Sequence, residues 1–170
     1  LTIQEKKGFL TGLKVAYIGD GNNMAHSLLV GCATLGINIA VATPPKYEPD
    51  ESIVKEAKRF AEKESSIVNV THNPLDAIKN ADVVYTDVWA SMGQEQEQNE
   101  RAQVFKSFQV NSDLMEHAKE DAIFMHCLPA HRGEEVTSDV IDGPQSVIFD
   151  QAENRLHAQK GLLVALLSDL

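Results

Sequence analysis

Apolar residues in this chain fall into short unbroken runs, separated by stretches where they recur every three or four positions. Lys14–Ile18 is one such run and ends at Gly19-Asp20-Gly21, which predicts a strand entering a turn. Met24–Leu35 carries apolar residues at helical spacing, with Gly36 placed to stop the helix. Asn38–Thr43 predicts a second buried strand, ended by Pro44-Pro45. Asp50–Glu64 predicts an amphipathic helix with Ile53, Ala57, Phe60 and Ala61 as its apolar stripe. Ile67–Thr71 predicts strand three, Pro74–Asn80 a short helix with proline in its first turn, and Val83–Asp87 strand four. The polar stretch Trp89–Gln98 reads as loop, Glu100–Phe108 as helix, and Asn111 or Ser112 as the cap of a helix through Ala118. Ala122–Met125 predicts strand five, running into His126-Cys127-Leu128-Pro129. Ser138–Asp142 reads as a short helix, Ser146–Phe149 as a sixth strand, and Glu153–Leu170 as a closing helix with Leu156, Leu162, Leu163, Leu166 and Leu167 along it.

Strands that are apolar throughout, alternating with helices, are the pattern of a parallel sheet covered on both faces. The expected fold is therefore α/β, a doubly wound parallel sheet, Rossmann-like, in the order 3-2-1-4-5 with right-handed crossovers. At 170 residues the chain is about one domain and long enough to bury a core without staples.

Composition narrows the function classes. A formal net charge of −10 argues against nucleic acid or an anionic membrane as partner. No apolar run approaches the ~20 residues that span a bilayer. Two cysteines, Cys32 and Cys127, make no disulfide framework, so a reducing cytoplasm is the expected compartment. Cys32 sits in an apolar helical stretch and reads as core.

In such folds ligands bind beyond the carboxyl ends of the strands, where strand order reverses. The polar residues that need explaining fall there. Strand one delivers Asp20, Asn22 and Asn23, strand four Asp87 and then Ser91-Met92-Gly93, strand five His126, Cys127 and His131-Arg132, and strand six Glu153, Asn154 and Arg155. Each also fits a plain structural role. Asn22 and Asn23 suit a helix cap, Asp87 a strand-end turn, Cys127 a small buried side chain, and Arg155 a surface pair with Glu153 or Asp150. His26 fits as decoration of a first helical turn. His126, Cys127 and His131 lie close in sequence, yet no fourth ligand follows at a usual spacing, so no metal is expected. Gly19-Asp20-Gly21 begins like a dinucleotide fingerprint, but Met24 takes the place of its third glycine and strand two ends without a carboxylate for a ribose. No cofactor is expected.

The motifs Gly19–Asn23 (GDGNN), Asp87 with Ser91-Met92-Gly93, His126–Pro129 (HCLP) with Arg132-Gly133, and Glu153-Asn154-Arg155 together resemble the ornithine carbamoyltransferases, in order across nearly the whole chain. The resemblance implies transfer of the carbamoyl group of carbamoyl phosphate to the side-chain amine of ornithine. It implies that Asn23 holds the amino-acid carboxylate and Asp87 the α-ammonium. Ser91 and Met92 would belong to a loop that closes over ornithine. Cys127 and the Leu128 carbonyl would face the reacting groups, and Arg155 would reach carbamoyl phosphate. Cys127 is expected to position rather than attack, because the acceptor amine is already the nucleophile. The family's Ser-x-Arg-Thr-Arg and His-Pro-x-Gln motifs do not occur here. The expectation is therefore that residues 1–170 form the carboxyl-terminal ornithine-binding domain of a homotrimeric enzyme. The amino-terminal carbamoyl-phosphate-binding domain would lie outside this chain, which would be inactive alone. An acceptor such as putrescine or a modified ornithine, a nucleotide-binding module, and a noncatalytic domain of the same fold remain alternatives.

Overall fold

A computed structural model describes residues 1–90 and 98–168. Five parallel strands form one sheet: β1 (Lys14–Ile18), β2 (Asn38–Ala42), β3 (Val68–Thr71), β4 (Val83–Thr86) and β5 (Ile123–His126). Their spatial order is β3-β2-β1-β4-β5, the order expected from the sequence. Alternate side chains of β1, β2, β4 and β5 enter two separate cores. Ala16, Ile18, Ala40, Ala42, Val84 and Phe124 face one. Val15, Tyr17, Ile39, Val41, Val83, Tyr85, Ile123 and Met125 face the other. Burial on both faces is why the strands read as unbroken apolar runs.

The helices are α1 (Thr2–Lys7), α2 (Asn23–Thr34), α3 (Glu51–Glu64), α4 (Pro74–Ile78), α5 (Gln98–Phe105), α6 (Ser112–Met115), α7 (Ser138–Ile141) and α8 (Ile148–Leu167). Helices α2 and α3 cover one face through Leu29, Cys32, Ala57 and Ala61. Helices α4 to α7 cover the other through Ile78, Phe105, Leu114, Met115 and Ile141. Caps fix several starts. Asn22 accepts from the Met24 and Ala25 amides, Asp50 from Ser52, Asn73 from Leu75, and Asn111 from Leu114. His26 has a structural task, since its Nε2 accepts the Asp50 amide at 2.9 Å. Among the described residues no helix is long and apolar enough to cross a membrane.

The predicted sixth strand does not form. Ser146 makes a single bridge to Phe124, and the chain turns into α8 at Ile148. So short an apolar run, Val147–Phe149 after Ser146, fits a strand and a buried helix turn equally well. Here Ile148 is buried while Phe149 is 73% exposed, so the run marks the first turn of a helix. Glu153, Asn154 and Arg155 consequently sit on α8 rather than at a strand end. Helix α1 was not foreseen. Its anchors are the buried Asn154, which donates to Thr2 and Glu5, and Lys6, which pairs with Asp150 at 2.9 Å.

Gly21 explains the glycine-rich turn without a phosphate. Its amide donates to the Tyr47 carbonyl at 2.9 Å, and an added Cβ would lie 2.3 Å from the backbone of Glu48 and Pro49. The glycine lets the loop after β2 lie against the end of β1. Gly21→Ala is expected to destabilise by about 1–3 kcal/mol through this overlap. A urea midpoint equal to wild type would show that the 47–49 loop yields freely.

Candidate active site

Strand order reverses between β1 and β4, so the crossovers leaving these strands run to opposite sides and the sheet's carboxyl edge opens. A cleft of about 850 Å3 lies there. Asn23, Asp87, Cys127, Leu128 and Arg155 all line it, together with Met24, Val88, His126, Pro129 and Gln151. Five residues singled out from the sequence, spread over more than 130 positions from Asn23 to Arg155, thus share one pocket. Ser91 and Met92 lie outside the described residues. Ala90 and Gln98, on either side of that stretch, both line the cleft.

Asp87 is the centre of the arrangement. It is 7% exposed and both its oxygens are occupied. Oδ1 accepts from the Cys127 thiol at 3.0 Å and from the Val88 amide at 2.8 Å. Oδ2 accepts from Asn22 Nδ2 at 3.0 Å. The same Asn22 caps α2 with its oxygen, so one side chain fixes both the helix start and the carboxylate. The Asp87 contacts are therefore more than a strand-end turn. Asn22, placed at the rim by the sequence and also read as a cap, does both.

Asn23 is exposed in the first turn of α2, and Arg155 is exposed on α8. The surface pairs considered for Arg155 do not form. Asp150 takes Lys6, and Glu153 takes His157 at 3.4 Å. Arg155 makes no ion pair among the described residues, and its guanidinium lines the cleft. Three of the residues expected at the rim point elsewhere. Asp20 forms a buried ion pair with Arg101 of α5, Arg132 makes a two-pronged pair with Asp142, and Asn154 faces α1. Burial raises the Asp20 carboxyl above its ordinary pKa, and the Arg101 guanidinium opposes that shift.

A family model described as aspartate/ornithine carbamoyltransferase, Asp/Orn binding domain, matches residues 11–166. This chain belongs to that family. An ornithine carbamoyltransferase of Pyrococcus abyssi is 59% identical over 167 residues, covering 98% of this chain and 53% of the relative. One of Anoxybacillus flavithermus is 64% identical, covering 98% and 53%. The solved ornithine carbamoyltransferase of Pyrococcus furiosus superposes with a TM-score of 0.92 at 60% identity, over 96% of this chain and 52% of that one. That of Giardia lamblia has a TM-score of 0.90 at 36% identity, over 99% of this chain and 57% of that one. This chain spans about half the length of the carbamoyltransferases it matches.

In and beside the cleft, two clusters among the described residues have donor atoms close enough to consider a cation: Asp87, His126 and Cys127, and His131, Glu134 and Glu135. In the first, the atoms are already engaged with one another. The Leu128 amide donates to His126 Nδ1 at 2.9 Å, His126 Nε2 lies 3.1 Å from Glu135 Oε1, and the thiol donates to Asp87. A thiol must lose its proton to bind a metal. Burial, followed by the Asp87 carboxylate, pushes the Cys127 thiol up to about 12. It is a neutral donor at pH 7. Tyr17 and Tyr85 beneath it are also held protonated, chiefly by burial.

The raised pKa has a kinetic signature, because only the thiolate alkylates. At pH 8 iodoacetamide should label Cys127 on the order of 100-fold more slowly than a free thiol, after allowing for the greater reactivity of a more basic thiolate. The rate should still be rising above pH 10, and Asp87→Asn should shift the profile to lower pH. A wild-type profile that levels off near the free-thiol pKa would contradict the assignment.

Proposed function

We propose that this chain is the ornithine-binding half of an ornithine carbamoyltransferase, which transfers a carbamoyl group from carbamoyl phosphate to the side-chain amine of ornithine, giving citrulline and phosphate. The single observation that carries the reading is the convergence of Asn23, Asp87, Cys127, Leu128 and Arg155 on one cleft. The names of relatives at 59% and 64% identity support it.

The chemistry requires a neutral amine beside a polarised carbonyl. The acceptor amine has a free pKa near that of lysine, so its neutral form at pH 7 lies roughly 4–5 kcal/mol uphill. A cleft that grips the amino-acid end while excluding water from the amine lowers this cost. Asp87 supplies a carboxylate for the α-ammonium, and Asn23 an amide donor for the carboxylate. This pair favours an amino acid over putrescine, which has no carboxylate. The Cys127 thiol and the Leu128 carbonyl orient the attacking amine. Arg155 donates to the carbamoyl oxygen as it gains charge, a contact worth about 3–4 kcal/mol in comparable sites. The leaving phosphate needs further cationic and helix-terminal donors, which fits a second domain supplied outside this chain.

The end of α8 supports a larger body. Leu162, Leu163, Val164, Leu166 and Leu167 are each at least 55% exposed, although the helix is nearly all apolar there. We place the rest of the subunit against this end, consistent with relatives about twice as long. The trimer and the cytoplasmic setting belong to the same proposal. Both cysteines are free thiols, which suits a reducing compartment.

In the full-length enzyme Asp87→Asn is expected to lower kcat/KM for ornithine by roughly 100-fold, the ~3 kcal/mol scale of unpairing a buried charge. Carbamoyl phosphate affinity should hold. Equal loss for both substrates would contradict the assignment. Leu163→Glu should lower the unfolding stability of the full-length protein by about 2–5 kcal/mol, the range for losing a buried leucine. An unchanged midpoint would place these leucines in water.

A further inference from the structure

Glu135 has no part in the reading above, yet it is fully buried, as is Val136 beside it, where the chain from His131 to Gly133 is exposed. Burying a carboxylate is costly unless hydrogen bonds repay it. Its Oε1 accepts twice: from the His131 backbone amide at 2.7 Å and from His126 Nε2 at 3.1 Å. These residues are the two ends of the loop that carries Cys127 and Leu128. Its Oε2 has no hydrogen-bond partner among the described residues. Oε2 lies instead 4.0 Å from His131 Nδ1, so every polar contact of this carboxylate falls on His126 or His131.

The direction of the His126 contact follows from its other nitrogen. The Leu128 amide donates to Nδ1, which therefore carries no proton. Nε2 carries it and donates to Glu135. The hydrogen bond made by one ring nitrogen sets the state of the other. Leu128 sits at φ 55, a conformation that non-glycine residues rarely adopt, and its amide bond to Nδ1 holds it there. The His126 backbone is tied separately, its amide donating to Gln151 Oε1 at 3.1 Å.

We propose that Glu135 is a positioning residue for the carbamoyl-transfer site. It fixes His126 as the Nε2–H tautomer and so holds the left-handed turn that aims the Cys127 thiol and the Leu128 carbonyl into the cleft. This rests on the carbamoyltransferase reading for its kinetic consequence but not for its structural one.

The test uses the full-length enzyme with histidine labelled in 15N. The His126 signal is assigned by its loss in His126→Gln and read by magic-angle-spinning NMR. Wild type should show one signal set with the proton on Nε2. Glu135→Ala should give a mixture of tautomers and a kcat for ornithine carbamoylation at least tenfold lower, with carbamoyl phosphate affinity within twofold of wild type. Glu135→Gln keeps an acceptor oxygen and should restore the single tautomer and a kcat within threefold of wild type. If Glu135→Ala fails to fold, Glu135→Gln decides. A tautomer mixture in Glu135→Gln, or a tenfold loss of kcat with the tautomer intact, overturns the proposal. So does a wild-type His126 protonated at Nδ1. The nitrogen spectra need no substrate. A wild-type enzyme that fails to carbamoylate ornithine would therefore sink the functional reading while leaving the tautomer result to stand or fall alone.

Discussion

One carboxylate joins the ends of three strands. Asp87 closes β4, and its two oxygens reach Asn22 beyond β1 and Cys127 beyond β5. The register of the sheet makes this possible. Thr86 pairs with His126, so the residues that follow each of them emerge side by side. The strand reversal between β1 and β4 leaves the space above them free of a crossing helix. Moving any of the three strands by one residue would turn Asn22, Asp87 or Cys127 to another face, because side chains alternate along a strand. The apolar cores that fix the register therefore also fix the chemistry.

The same contact decides what the cysteine can do. A thiol beside a lysine or a protonated histidine loses its proton easily and becomes a nucleophile. Cys127 has the opposite environment, partly buried against a carboxylate, and it remains a donor. The neighbouring histidine does not reverse this, since both of its ring nitrogens are committed to Leu128 and Glu135. A neutral thiol suits a reaction in which the substrate amine supplies the electron pair. It would hinder one that needed a covalent enzyme intermediate.

What the sequence made legible was the part governed by local periodicity. Strands β1, β2, β4 and β5 are apolar on both faces and stand out as runs, and helices α2 and α3 announce themselves by caps and stripes. The site residues were legible because polar side chains gathered at several strand ends and because their motifs, taken in order, resembled one family. The failures share a cause. Ser146–Phe149 looked like a strand because three apolar residues in a row carry no period, and only tertiary contact decides between β and α. Helix α1 is short and polar, and it is held by Asn154, a partner about 150 positions away. Glu135 lies among polar and charged residues, His131 to Glu135, where nothing local separates the one buried carboxylate from its more exposed neighbours. Asn22 was read as a cap, which it is, but its second contact spans 65 positions to Asp87. Long-range polar pairing of this kind leaves no mark on a single sequence.

The charge of the cleft bears on what this half can hold by itself. Among its described lining residues are two carboxylates, Asp87 and Glu134, against one guanidinium, Arg155. The chain around it carries −10. Such a field attracts a cation with two amines and repels a phosphate dianion. A single exposed arginine, weakened by solvent screening, does not reverse it. Under the proposed function the two substrates therefore make opposite electrostatic demands, and one acidic pocket cannot meet both. A division of the site between two domains answers this. One surface stays acidic for the acceptor, and a separate cationic surface takes the phosphate. Arg155 then stands where the two substrates meet, close enough to the acceptor cleft to line it and free of the acidic partners that would neutralise it.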